Sequence, residues 1–126
     1  MEQTRYGLIG SKLGHSYSKI IHEQIADYTY ELMPLPTEDE ARAFMERRDF
    51  AAINVTIPYK ELVIPYMDEM DDDAAKIGAV NVIKFIRKKN DLKFKGYNSD
   101  IIGFCDSIRP LLNPEREKAL ILGTGG

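Results

Sequence analysis

Apolar side chains along the chain fall into short continuous runs and into longer stretches with helical spacing. Four short runs, bounded by glycine, proline or polar residues, predict buried strands at 6–10, 30–33, 51–56 and 118–122. Two further runs at 80–87 and 92–97 are separated by the polar residues 88–91, which predicts a β-hairpin. The chain therefore contains enough strands for a sheet.

The segments between the strands carry helix signals. Thr37 is followed three residues later by Glu40, the pattern of a capping box. Asp71 and Gly78 are typical of the start and the end of a short helix. Together with the apolar spacing and with Pro58, Pro65 and Pro110, these signals predict helices at about 19–28, 37–48, 59–66, 71–77 and 100–108.

This alternation of strands and helices predicts an α/β fold. We expect an open, mostly parallel sheet with one antiparallel hairpin and with helices on both faces. A chain of 126 residues, 44% of them hydrophobic, is long enough to bury a core of its own.

Composition excludes several classes of protein. The net charge is −3 and the charges of both signs are interspersed, so no basic face for nucleic acid is expected. No apolar run approaches the roughly 18 residues of a membrane span, and no signal peptide is recognisable. Cys105 is the single cysteine, so an internal disulfide is excluded. We therefore expect a soluble protein of the reducing cytoplasm.

Polar residues follow three of the predicted strands, where open α/β sheets bind their ligands. Ser16 and Ser18 precede a helix and are suited to bind a carboxylate or a phosphate, although either can serve only as a helix cap. Lys60 is predicted near the start of a helix, where a cation is disfavoured, so it is either a surface residue or a functional one. Asp100 is expected in the first turn of its helix, which is also ordinary helix-start chemistry.

Asn81 is an amide within an apolar run, so it is either a structural bridge or a ligand contact. Hydroxyls, an amide, a lysine and a carboxylate at neighbouring strand ends suit a small polyhydroxylated acid and proton transfer at a carbonyl. His15 and His22 have no third metal ligand beside them, so no metal site is predicted. Cys105 lies in an apolar helical pattern and is expected in the core.

Five motifs in order resemble those of the shikimate dehydrogenases. They span the whole chain and read GLIG followed by HSYS (7–10 and 15–18), NVTIPYK (54–60), GAVN (78–81), GYNSDIIG (96–103) and LGTGG (122–126). The chain departs from the usual family pattern at four positions, where proline, asparagine, threonine and threonine are replaced by Lys19, Glu23, Val82 and Ser99.

The resemblance implies an activity, the reversible reduction of 3-dehydroshikimate to shikimate with NADPH in the shikimate pathway of aromatic amino acid and chorismate biosynthesis. Lys60 and Asp100 would be the catalytic acid/base pair, in which the carboxylate orients the charged lysine. The substrate-binding residues would be these two together with Ser16, Ser18, Thr56 and Asn81.

The resemblance also implies a domain division. Residues 1–117 would form the substrate-binding domain, and 118–126 the start of an NADP-binding domain that lies mainly beyond this chain, with Gly123, Gly125 and Gly126 in its cofactor loop. The 126 residues alone are then expected to be inactive. A quinate/shikimate dehydrogenase and a non-catalytic ligand sensor stay open as alternatives, as does a homodimer.

Overall fold

The computed structural model describes residues 5–88 and 91–123. Within these residues the helices and strands follow the chain in this order: β1 (Tyr6–Gly10), α1 (Ser18–Ile25), β2 (Tyr30–Pro34), α2 (Glu38–Arg47), β3 (Ala52–Val55), a 3₁₀ turn (Ile64–Tyr66), β4 (Glu69–Met70), α3 (Asp72–Ile77), β5 (Val82–Lys88), β6 (Asp91–Tyr97), α4 (Asp100–Ile108) and a second 3₁₀ turn (Arg109–Leu111).

The described strands form one sheet in the order β2-β1-β3-β5-β6-β4. β1 lies between β2 and β3 and pairs with both in parallel, and β4 pairs in parallel with β6. β5 is antiparallel to β3 and to β6, with which it forms the predicted hairpin. The predicted fold, a mostly parallel sheet with an antiparallel hairpin, is confirmed.

The two faces of the sheet are covered by different helices, because successive side chains of a strand point to opposite faces. Leu8 and Tyr30 are buried on one face, where His22 of α1 stacks on the Tyr30 ring with 4.1 Å between the centroids. Ile9 is buried on the opposite face in a larger core to which α2 contributes Phe44. The expectation of helices on both faces is therefore confirmed.

Local signals placed the ends of two helices correctly. Thr37 and Glu40 form the capping box at the start of α2, each side chain bonding to the backbone of the other. The Asp71 carboxylate caps α3 by accepting from the Asp73 backbone N–H. Gly78 ends α3 with a φ of 73°, a conformation that glycine adopts without steric strain.

The prediction of a helix over 59–66 is wrong. The segment is a series of turns that ends in the 3₁₀ turn at Ile64–Tyr66. Because Pro65 has no N–H, it cannot donate to the Glu61 carbonyl and continue an α-helix. Lys60 therefore lies in a turn, and the helix-dipole argument does not apply to it.

Two further predictions near the carboxyl end of the chain are wrong. Residues 118–122 form no strand, because they pair with no strand of the described residues; Leu120 and Leu122 are exposed. Cys105 is exposed rather than in the core, because α4 buries none of its residues. The short strand β4 has no apolar run of its own and was not predicted.

Candidate functional site

The carboxyl ends of three strands meet at one edge of the sheet. β1 and β3 are parallel, and β5 runs antiparallel to both β3 and β6, so β6 points the same way as β3. The same geometry brings the start of β5 to this edge and places Asn81, which directly precedes it, beside the strand ends. All the polar segments singled out in the sequence therefore converge.

A cleft of about 500 Å³ opens at this edge, a size suited to a small-molecule ligand. All six predicted catalytic and substrate-binding residues line it: Ser16, Ser18, Thr56, Lys60, Asn81 and Asp100. Their sequence separation spans most of the chain, so the fold alone brings them together.

Lys60 and Asp100 form an ion pair inside the cleft. The Lys60 Nζ donates to the Asp100 Oδ2 at 2.7 Å, although the residues are 40 positions apart. The Lys60 carbonyl accepts from the Val80 N–H at 2.8 Å, which holds the lysine turn against the segment before β5. Asp100 is the first residue of α4, where the helix dipole stabilises a carboxylate. An ammonium and a carboxylate in contact can exchange protons with a ligand oxygen.

Asn81 is held by bonds to both of its neighbouring segments. Its side-chain amide donates to the Ser99 Oγ at 2.9 Å and accepts from the Ser99 N–H at 2.8 Å. Its backbone accepts from the Val55 N–H and donates to the Tyr97 carbonyl, bridging the ends of β3 and β6. Asn81 is thus a structural bridge, and its position on the cleft leaves it able to contact a ligand as well.

The two serines lie in the loop that leads into α1. The Ser16 Oγ accepts from the Ser18 N–H at 3.2 Å, so Ser16 satisfies one free amide at the start of the helix. The hydroxyl of Ser18 makes no hydrogen bond with any described residue, and Ser18 lines the cleft. The capping role therefore applies to Ser16, whose own proton is still available to a ligand, and not to Ser18.

Thr56 reaches the cleft because Gly10 lies beside it. Its backbone N–H donates to the Ile9 carbonyl at 2.9 Å, which continues the β1–β3 pairing by one residue. A Cβ atom at Gly10 would lie 2.5 Å from the Thr56 Cγ2, closer than carbon atoms approach each other. The absence of a side chain at Gly10 thus leaves room for Thr56.

Two polar residues of the cleft, Lys12 and Asn54, were assigned no role from the sequence. Lys12 has no ion-pair partner among the described residues, although it lines the cleft beside the serine loop. Asn54 also lines the cleft and accepts from the Tyr30 hydroxyl at 2.6 Å. Asn54 is a polar residue in an apolar strand, the same signal that identified Asn81. For Lys12 the signal was a cation in a predicted loop next to candidate anion-binding serines.

Of the three glycines of the predicted cofactor loop, the structure describes only Gly123. Gly123 is exposed with a φ of 96° and does not line the cleft, and Gly125 and Gly126 lie outside the described residues. Residues 118–123 form neither a strand nor a helix start, so the described residues do not provide a dinucleotide cradle. The described part of the chain also contains no cluster of three metal-ligating side chains, and no helix in it is long and apolar enough to cross a membrane.

Comparisons of the sequence and of the structure with known proteins point to the same family. The sequence profile described as "Shikimate dehydrogenase substrate binding domain" matches residues 8–83, which include most of the cleft. A curated relative from Staphylococcus haemolyticus, named shikimate dehydrogenase (NADP(+)), is 39% identical over 97% of the chain. This match covers 47% of the relative, so the chain spans about half the length of the curated relatives it matches.

Solved structures share the fold. The dehydroquinate dehydratase and shikimate dehydrogenase from S. pombe superposes with a TM-score of 0.74 and 36% identity, covering 86% of this chain and 22% of that one. Shikimate 5-dehydrogenase from Thermus thermophilus, solved in complex with NADP(H) and shikimate, gives a TM-score of 0.67 and 28% identity, with 84% and 41% covered.

Proposed function

The chain belongs to the shikimate dehydrogenase substrate-binding domain family, and from this premise we propose that its cleft binds shikimate and 3-dehydroshikimate in an NADP-dependent shikimate dehydrogenase. The observation that carries the proposal is the Lys60–Asp100 ion pair, which shares one cleft with the serine loop and Asn81. A ligand sensor needs the binding groups but has no use for a proton-transfer pair.

Each proposed role follows from the chemistry of the group. The hydroxyls of Ser16 and Ser18 hold the substrate carboxylate by donating to its oxygens. Thr56 and Asn81 bind ring hydroxyls. The Lys60 ammonium donates a proton to the oxygen that carbonyl reduction leaves negative, and Asp100 orients it and stabilises its charge. NADP(H) exchanges the hydride and is proposed to bind mainly outside the described residues.

The charges of the cleft support a ligand with one negative charge. Lys60 is neutralised by Asp100 at 2.7 Å, whereas Lys12 has no such partner in the described chain. With the histidines neutral, the side chains that line the cleft leave one net positive charge. A monocarboxylate such as shikimate balances it, and a cleft of about 500 Å³ has room for its ring.

Titration of the chain with shikimate, quinate, 3-dehydroquinate and a cyclohexene triol without the carboxylate tests the proposal. We expect saturable shikimate binding by calorimetry, weaker binding of the triol, and a fall in shikimate affinity with added salt.

Lys12→Gln should weaken shikimate binding and reduce the dependence of the affinity on salt. Lys76→Gln on α3, which lies outside the cleft, should change neither. Equal affinity for shikimate and the triol would contradict the proposed role of the cleft. Tighter binding of quinate would instead favour the quinate/shikimate alternative.

A further inference from the structure

Tyr30 connects β2 to the cleft across the intervening strand β1. Tyr30 is the first residue of β2 and its side chain is buried, with 2% of the residue exposed. It lies opposite Tyr6 of β1, and Tyr6 lies opposite Ala52 of β3. Asn54 lies two residues beyond Ala52, and therefore on the same face of the sheet. The Tyr30 hydroxyl reaches diagonally over β1 and donates to the Asn54 Oδ1 at 2.6 Å.

This bond engages the Oδ1 end of the Asn54 amide and leaves the Nδ2 end for another partner. Asn54 lines the cleft while its Oδ1 is directed towards the Tyr30 hydroxyl. Its Nδ2 group has no hydrogen-bond partner among the described residues, and a partly buried amide donor needs one. The orientation therefore presents N–H donors to a ligand oxygen.

Helix α1 holds Tyr30 by its backbone and its ring. The Lys19 Nζ donates to the Tyr30 carbonyl at 2.7 Å, and the Glu23 Oε1 accepts from the Tyr30 N–H at 3.1 Å. Lys19 and Glu23 also pair with each other at 2.6 Å, and His22 between them stacks on the Tyr30 ring. Lys19 and Glu23 are two of the four positions at which the chain departs from the usual family pattern.

The phenol itself is kept as a donor. Burial, and to a smaller extent the neighbouring Tyr28, raises the pKa of Tyr30 well above its ordinary value. The hydroxyl therefore keeps its proton at neutral pH, and in the structure it donates that proton to the Asn54 Oδ1.

We propose that Tyr30 is a positioning residue of the cleft, which acts through Asn54 and is itself held by Lys19, His22 and Glu23 of α1. The inference rests on the proposed function, because it makes the Asn54 N–H a donor to the bound monocarboxylate. It assigns a binding role to a buried residue that does not itself line the cleft.

A double-mutant cycle on shikimate affinity tests the coupling. Tyr30→Phe removes the hydroxyl but keeps the ring on His22, and we expect affinity to fall about fivefold, since a hydrogen bond contributes roughly 1 kcal/mol. Asn54→Ala should lower affinity at least as much, and the double variant should match Asn54→Ala within about twofold. Tyr6→Phe is the control, because Tyr6 lies on the same face but its hydroxyl makes no hydrogen bond to Asn54. Unchanged affinity of Tyr30→Phe, or losses that add in full, would overturn the proposal.

A ligand-free measurement separates this inference from the proposed function. In nitrogen-15 NMR spectra, the Asn54 side-chain amide signals should shift and exchange faster with water in Tyr30→Phe than in the wild type. The Asn81 side-chain signals, held by Ser99, should stay unchanged in the same spectra. Unaltered Asn54 signals would refute the positioning role. If the wild type binds no shikimate, the proposed function fails, while the Asn54 signals still decide whether Tyr30 orients the amide.

Discussion

At the scale of single residues, the two members of the ion pair sit in different surroundings. The Lys60 side chain is 24% exposed and that of Asp100 is 53% exposed, so the lysine is the more enclosed partner. Exposed ion pairs contribute little to stability because solvent screens them. The pair is therefore better explained by chemistry in the cleft than by a contribution to the fold.

Replacing Lys60 tests this interpretation. In a chimera that joins the chain to the part of the S. haemolyticus protein that the match does not cover, Lys60→Ala should reduce kcat about 10²-fold or more. KM should change much less, because proton donation belongs to the transition state. The melting temperature of the variant should stay close to that of the parent. Turnover near the parent rate in steady-state assays would contradict the acid/base assignment.

The serines are predicted to distinguish ligands by their carboxylate. Ser16→Ala and Ser18→Ala should each weaken shikimate binding, because a hydrogen bond to a charged group contributes roughly 1.5–3 kcal/mol. The loss of Ser16 should also destabilise the start of α1, whose Ser18 N–H it satisfies, whereas the loss of Ser18 should not. Calorimetry with shikimate and with the triol checks the first point. Equal losses for both ligands would mean that the serines only support the loop.

At the scale of the elements, Asp68 joins the end of α2 to β6. Its Oδ2 accepts from the Phe94 N–H at 2.8 Å and from the Arg48 Nη1 at 3.1 Å. Arg48 ends α2 in the left-handed conformation and lies over the Phe94 ring, with its Cζ 4.6 Å from the centroid. The Asp68 carboxylate thus links the end of α2 to β6 on the core side of the sheet.

This carboxylate predicts a pH dependence of stability. The Phe94 N–H, followed by Arg48, lowers the pKa of Asp68 below its ordinary value. A lowered folded pKa stabilises the fold above the unfolded pKa of about 4, and the contribution is lost as pH falls through the folded pKa. Asp68→Asn should therefore cost about 1 kcal/mol or less at pH 7, after solvent screening, and progressively less as pH falls below about 4. Urea unfolding of both proteins measures the difference, and a constant difference across this range would contradict it.

At the scale of the whole molecule, the cleft and the apolar surface lie on different parts of the chain. The cleft is built from segments between β1 and the first turn of α4. Beyond this point most of the large apolar side chains are exposed, including Ile102, Phe104 and Leu111. The described residues therefore form a ligand cleft, whereas residues 101–123 contribute no buried side chain.

We predict that the 126 residues alone do not oxidise shikimate with NADP⁺. The described residues hold no dinucleotide cradle, so the hydride acceptor has no fixed position over the substrate. Orientation of reactants can contribute roughly 7–11 kcal/mol of the barrier, and its absence should leave no measurable turnover. Absorbance at the NADPH band checks this with Lys60→Ala as the blank. A rate clearly above that blank would show that the chain is sufficient for the reaction.

Local sequence patterns determined much of the fold. The apolar runs of β1, β3 and the hairpin, the capping box of α2 and the glycine that ends α3 act within a few residues, so they can be recognised without the fold. The division at residue 117 stays a prediction. The six cleft residues were found through strand-end chemistry and family motifs, both of which are properties of the sequence.

Contacts between distant segments were decided only by the tertiary structure. Lys60 and Asp100 meet across 40 residues because the strand order brings the ends of β3 and β6 to one edge of the sheet. Tyr30 and Asn54 meet across 24 residues because β1 lies between β2 and β3, so that the Tyr30 side chain reaches diagonally over it. No local pattern encodes which strands become neighbours, since that depends on how apolar faces pack against each other. The same dependence on packing explains why the apolar spacing of α4 did not place Cys105 in a core: helical periodicity predicts an apolar face, and only the fold supplies the surface that covers it.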